Sequence, residues 1–154
     1  MQVAFNSKEA QDFLRKLVKK KDQIKDRDDA YVGLLSAVVF RDIITHFERE
    51  EGSKGAWKAW SKVHAQHMEK IGKGGNKILQ DTGRLRQSFQ PTSYRKTNEG
   101  ILWFNPAKTK SGFPYAYAHD EGGPKLPKRD FMYLSDEAKE KLETITLKFL
   151  EGDE

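Results

Sequence analysis

The sequence contains no cysteine. Disulfides and thiolate metal sites are therefore excluded, and a reducing compartment is compatible with the chain. Long apolar runs are also missing. A membrane helix needs roughly 20 apolar residues, and the longest candidate, residues 31–40, is broken by Gly33 and Ser36 and runs into Arg41 and Asp42. The opening residues, Met1 to Ser7, lack the basic-then-apolar pattern of a signal peptide. Neither an internal repeat nor a Pro/Gly/Ser-rich linker is evident. The length of 154 residues fits one domain, residues 1–154, large enough to bury a core. Apolar residues make up 36% of the chain and charged ones 33%, so that core is expected to be modest and the surface polar.

Charge is plentiful but unevenly placed. The net charge is +5, yet residues 52–90 alone carry +6. From Asp130 to the end, eight carboxylates face three lysines. A basic middle and an acidic tail suit two uses. One is head-to-tail association between copies, and the other is a basic surface for nucleic acid.

Read in order, the chain opens with Asn6 and Glu9 in capping-box spacing. Phe13, Leu14, Leu17 and Val18 then predict an amphipathic helix over 7–19. Asp28 or Asp29 can cap a second, longer helix reaching about Glu51. Its apolar stripe is expected at Tyr31, Leu34, Leu35, Val38, Val39, Ile43, Ile44 and Phe47, with Gly52 as the stop. His46, near its end, suits a partner for the helix dipole. Trp57, Trp60, Val63, Met68 and Ile71 predict a third helix with an aromatic start, whose tryptophans are core anchors or a partner-facing patch.

The stretch from Lys77 to Phe89 joins this helical half to a strand-and-turn half. Asp81 is expected to cap a short helix that places Leu85 and Phe89 on one face. Arg84 and Arg86 then point to solvent or to a partner. Residues 93–96 and 100–104 predict a hairpin through Thr97-Asn98-Glu99-Gly100. Two polar loops follow, over 105–114 and 122–128. Lys108, Lys110, Lys125, Lys128 and Arg129, in and beside them, are candidate contacts to acidic surface on a neighbour. Ser135 should cap a last helix buried through Ala138, Leu142, Ile145 and Phe149. The fold class expected is α+β: a helical N-terminal half on a small antiparallel sheet, with a C-terminal helix.

No catalytic constellation emerges. Asp81-Thr82-Gly83 matches the aspartic-protease triplet, but the polar, helix-forming residues after it do not. His64 and His67 lie one turn apart without a third ligand nearby. The glycine-rich run from Ile71 to Lys77 lacks the strand and terminal Lys-Ser/Thr of a phosphate-binding loop. No enzyme activity, cofactor or metal is expected.

Four pieces, taken in order, resemble the phage virion morphogenesis family, the tail-completion or neck proteins of tailed bacteriophages, including those of Mu-like phages. They are the long helix ending at Phe47-Glu48-Arg49-Glu50 with Trp57 and Trp60 after it, residues 78–88, residues 115–123, and residues 127–131 with Leu134-Ser135. The chain departs from the family at Asp120, where Gln is commoner, and at Pro127-Lys128-Arg129-Asp130, where the family has Pro-Ala-Arg-Pro. The resemblance implies a structural virion protein, made in the host cytoplasm and acting in head–tail joining or tail completion. It also implies a homo-oligomeric ring, commonly sixfold, at the neck or head-proximal tail end. Neighbouring connector and tail proteins would be its partners, genomic DNA would pass through the ring, and no membrane would be involved. A basic nucleic-acid-binding domain is the alternative, supported by the lysine-rich middle with Trp57 and Trp60.

Overall fold

A computed structural model describes residues 28–151. The expected helix over 7–19 with its Asn6/Glu9 cap, the side chain of Asp28, and Gly152 all lie outside the described residues. Among those described, five helices and two antiparallel sheets of two strands make an α+β fold ending in a C-terminal helix. The residues form two compact units interleaved along the chain. One comprises 28–42, 90–104 and 133–151; the other comprises 43–89 and 105–132.

Helix α1, Asp28–Arg49, contributes to both units. Its apolar residues recur every three or four positions and no proline interrupts it, so one face can be buried along its whole length. The buried stripe is Tyr31, Val32, Leu35, Ser36, Val39, Phe40, Ile43, His46 and Phe47. This corrects the expected stripe: Leu34 is 58% exposed, while Val32 and Phe40 are buried. Phe40 and Val32 bring more apolar area on one side than Leu34 does on the other, and the helix is rotated accordingly. By length and composition Asp29–Arg49 would also pass for a membrane span, but half of that window is buried inside the protein, as in a core helix.

In the first unit, strands β3 (Tyr94–Thr97) and β4 (Gly100–Trp103) form the expected hairpin, with Tyr94 opposite Trp103 and Thr97 opposite Gly100. The Trp103 indole N–H donates to the Ser36 hydroxyl at 2.8 Å, so both buried polar groups are satisfied. Helix α5, Asp136–Glu151, starts as expected at Ser135, whose hydroxyl accepts from the Ala138 N–H at 3.2 Å. The same hydroxyl donates to Asp42 at 2.6 Å, and the Ser135 N–H donates to that carboxylate at 2.9 Å. Asp136 and Glu137 in the first turn suit the helix dipole. Ala138, Leu142 and Thr146 are its buried positions, with Ile145 and Phe149 half-buried beside them. Tyr31 stacks on Phe149 at 4.0 Å between ring centres and shares a 2.9 Å hydrogen bond with Thr146.

The second unit is built on an aromatic cluster. Phe47 meets Phe131 at 4.9 Å, Trp57 at 5.5 Å and Phe89 at 5.9 Å. Helix α1 stops because Glu50 adopts a left-handed backbone (φ 53°), not because of Gly52. The Glu50 carboxylate accepts the Ile78 N–H. Gly52 has another task. It lies in strand β1 (Glu51–Gly52), paired with β2 (Gly55–Ala56), and a Cβ there would clash with the Asp130 carboxylate. Asp130 in turn accepts the amide and hydroxyl of Ser53, and its carbonyl accepts the Trp57 indole N–H at 2.9 Å. Burial acts to raise the Asp130 pKa, but the two Ser53 donors, its own backbone and Lys128 outweigh it and hold the carboxyl below its ordinary value.

Two helix expectations need correction in this unit. The third helix does not begin at Trp57. Residues 57–60 are not helical, and helix α2 covers Lys62–Lys70 with Ser61 as N-cap, accepting from the His64 N–H at 3.2 Å. Only Met68 of α2 is buried, and Val63 and Ile71 are 78% and 49% exposed. The indole of Trp57 is used in the core and across to Asp130, which pulls its backbone out of helical register. Asp81 does not cap the short helix α3, Arg84–Gln87, either. Gly83 holds that position at φ 70° with no side-chain cap, and Asp81 pairs with Lys73 at 2.6 Å. Leu85 and Phe89 are both buried, as their spacing predicts.

Candidate functional site

Within the second unit lies an open groove of about 1100 Å³. Four stretches form it. Trp60 and Ser61 lead into α2, which presents His64 and Met68. Residues 77–85 run beside it. The loop bearing Lys108, Thr109 and Lys110 enters helix α4, Tyr115–Glu121, which presents Tyr115 and His119. The loop from Lys125 to Arg129 completes the wall.

Local sequence fixes each stretch. Helix α4 ends at Gly122, whose φ of 72° disfavours any side chain, and a Cβ there would lie 2.7 Å from the Lys128 backbone. That close approach folds the Gly122–Lys128 loop back on α4, with Gly123 bridged to Leu126. The Arg129 N–H donates to the His119 carbonyl at 3.0 Å. The Arg129 guanidinium is buried and gives two hydrogen bonds, at 3.0 and 3.1 Å, to the carbonyl of Lys58. Burial lowers its pKa. Asp120, also buried, accepts the Phe131 and Met132 N–H groups at 2.8 and 2.9 Å. Burial, with the Glu121 and Asp130 charges, raises its pKa despite these two donors. Arg129 and Asp120 are therefore the two fasteners that hold the loop wall against α4 and the residues after Trp57.

The groove is cationic. Lys58, Arg84, Lys108, Lys110 and Lys125 are exposed along it. Lys77 is tied to the Glu48 carbonyl at 2.6 Å. Asp81 is the one carboxylate among the lining residues, and Lys73 already neutralises it. His119 belongs to the same wall. Burial first, and the Arg129 charge second, lower its pKa, so near neutral pH it adds no charge of its own. Trp60 stands edge-on to His64 at 5.3 Å, on the rim and not in the core.

The structure thus gathers five of the seven residues singled out from sequence: Arg84, Lys108, Lys110, Lys125 and Arg129. It separates the other two. Lys128 lines a smaller hollow with Ser53–Lys58 and Asp130, and Arg86 pairs with Glu48 at 2.8 Å. Lys58, Trp60, Tyr115 and His119 are groove residues that were not assigned to it from sequence. Lys58 and Trp60 carried a signal as part of the basic middle, and Tyr115 and His119 as part of the family-like stretch 115–123, but nothing in one dimension brings the two stretches together. Among the described residues no cluster of three or more His, Asp or Glu side chains could hold a metal ion.

The sequence profile of the phage virion morphogenesis family matches residues 5–151. The chain belongs to that family. Neither a curated protein nor a solved structure matches it. Membership gives this family protein a role in the structure or assembly of the phage virion, among other virion proteins. The matched span includes the whole groove, so the cationic wall is part of the family domain and not an appendage to it.

Proposed function

We propose that this protein is a non-enzymatic subunit that completes the tail or joins head to tail, acting as a ring at the neck or head-proximal tail end. The observation that carries this reading is the cationic groove inside a virion-assembly domain. A ring needs contacts that are head-to-tail, with two different surfaces on each copy. The second unit carries a net charge of +6 and the rest of the chain −1, which supplies two unlike surfaces. Electrostatic matching of this kind favours fast encounter and correct pairing. The subunit is made in the host cytoplasm and enters the virion as other neck and tail proteins meet it.

Deleting the gene from the phage and imaging the particles tests the reading. Filled heads and separate tails are expected, and supplying the protein in trans should restore joined particles. Normal joined virions at normal titre in the deletion would refute it. A second reading draws on the same groove: exposed lysines beside Trp60 and Tyr115 also suit a nucleic-acid backbone. A salt titration separates the two, because each phosphate contact adds to the slope of log affinity against log salt.

A further inference from the structure

We infer that the occupant of the cationic groove is the outer face of helix α5 from a second copy of this chain. The inference rests on the ring reading above and names its contact.

Lys58, Arg84, Lys108, Lys110 and Lys125 face the groove, and no described residue neutralises them. Trp60, Leu79, Tyr115 and Leu126, half-buried along its walls, supply an apolar component. The fitting partner therefore presents carboxylates around an apolar centre. Helix α5 does so. Glu140, Glu143, Leu147 and Glu151 follow one another at spacings of three and four, which places them on one stripe. All four are exposed, and Leu147 is 51% exposed. The three glutamates have no ion-pair partner among the described residues, whereas Asp136 and Glu137 are engaged by Lys139 and Lys141.

Size agrees with charge. Three helical turns about 16 Å long and 10 Å across, laid in to half their width, displace roughly 650 Å³. The groove holds about 1100 Å³. A nucleic-acid strand would also match the charge and could stack on Trp60 and Tyr115; the charge-reversal arms of the test below separate it from helix α5. Because the acceptor and the inserted helix are different surfaces, the contact repeats from copy to copy and can close by rotation.

The absence of cysteine makes a direct test clean. Full-length Ala59→Cys and full-length Leu147→Cys are mixed and treated with a short bis-maleimide. A covalent pair is expected in the mixture at a yield at least about tenfold above either variant alone, since like positions are far apart in a head-to-tail contact. Lys108→Glu with Lys125→Glu should weaken self-association at least about tenfold. Adding Glu140→Lys and Glu143→Lys to the same chain should restore it, with thermal melts showing all variants folded. If the wild type associates and joins heads to tails but the mixed link is absent, this contact is overturned while the ring reading stands. If the wild type is monomeric both alone and in purified particles, the ring reading falls and this contact with it. If the charge-reversed groove keeps full self-association and loses DNA binding, the occupant is nucleic acid and the inference is wrong.

Discussion

Single residues behave here according to the contacts they make and not the motifs they match. Asp81 heads a triplet and precedes a helix, yet it makes one exposed ion pair. Such a pair contributes at most about 1 kcal/mol. Asp81→Ala should therefore shift the unfolding free energy by less than that, as a denaturant melt would show; a larger loss would restore its role as a cap. Gly122 is the opposite case. A side chain there combines a left-handed backbone with a contact to the Lys128 main chain, so Gly122→Ala should cost about 2–4 kcal/mol. His119 gives the pH dependence its direction. Its folded pKa lies below 6.5 through burial and the Arg129 charge, so the unfolded chain takes up the proton more readily. Its stabilising contribution is complete above pH 6.5 and shrinks as the pH falls through the lower folded value. His119→Asn should flatten the loss of melting temperature between about pH 7 and pH 5. Asp120, with its pKa raised by burial, acts in the reverse sense in more acid solution. None of this is visible in one dimension, because each effect depends on what lies against the side chain from a distant stretch.

At the scale of elements, periodicity carried most of the information. Helices α1 and α5, the β3–β4 hairpin and the Ser135 cap can all be read from spacing and turn residues, because each is specified by neighbours within a few positions. What periodicity left open was rotation and onset. Leu34 and Leu35 both fit the α1 stripe on paper, but only Leu35 is buried. Leu35→Ala should cost about 2–5 kcal/mol in a thermal or chemical melt, and Leu34→Ala close to nothing. Equal losses would mean the helix is turned the other way. The Trp57 segment fails as a helix for a tertiary reason: Asp130, far along the chain, holds the indole and so decides where α2 can start. The short helix α3 was legible in its apolar face and illegible in its cap, since Lys73 draws Asp81 away.

Across the whole molecule, the sequence announced a basic middle and an acidic end, and the fold converts the first into a concave surface. The loop lysines could be nominated from their setting, but their convergence with Lys58 and Arg84 needed the Gly122 turn and the Arg129 fork. Self-association through such a surface should weaken as salt rises from low to about 0.5 M, because exposed charges are screened within a few ångströms at that strength; sedimentation at two salt concentrations checks it, and a salt-independent assembly would point to an apolar interface instead. The interleaving of the two units also has a temporal meaning. Residues 43–89 cannot finish their unit until 105–132 have been made, and the unit begun by 28–42 waits for 133–151. A growing chain on the ribosome thus has no completed groove until Asp120, Arg129 and Phe131 have emerged, and no complete acidic helix until Glu151 has followed. A chain that stops between residues 132 and 151 has the segments of the groove but not the complete acidic helix.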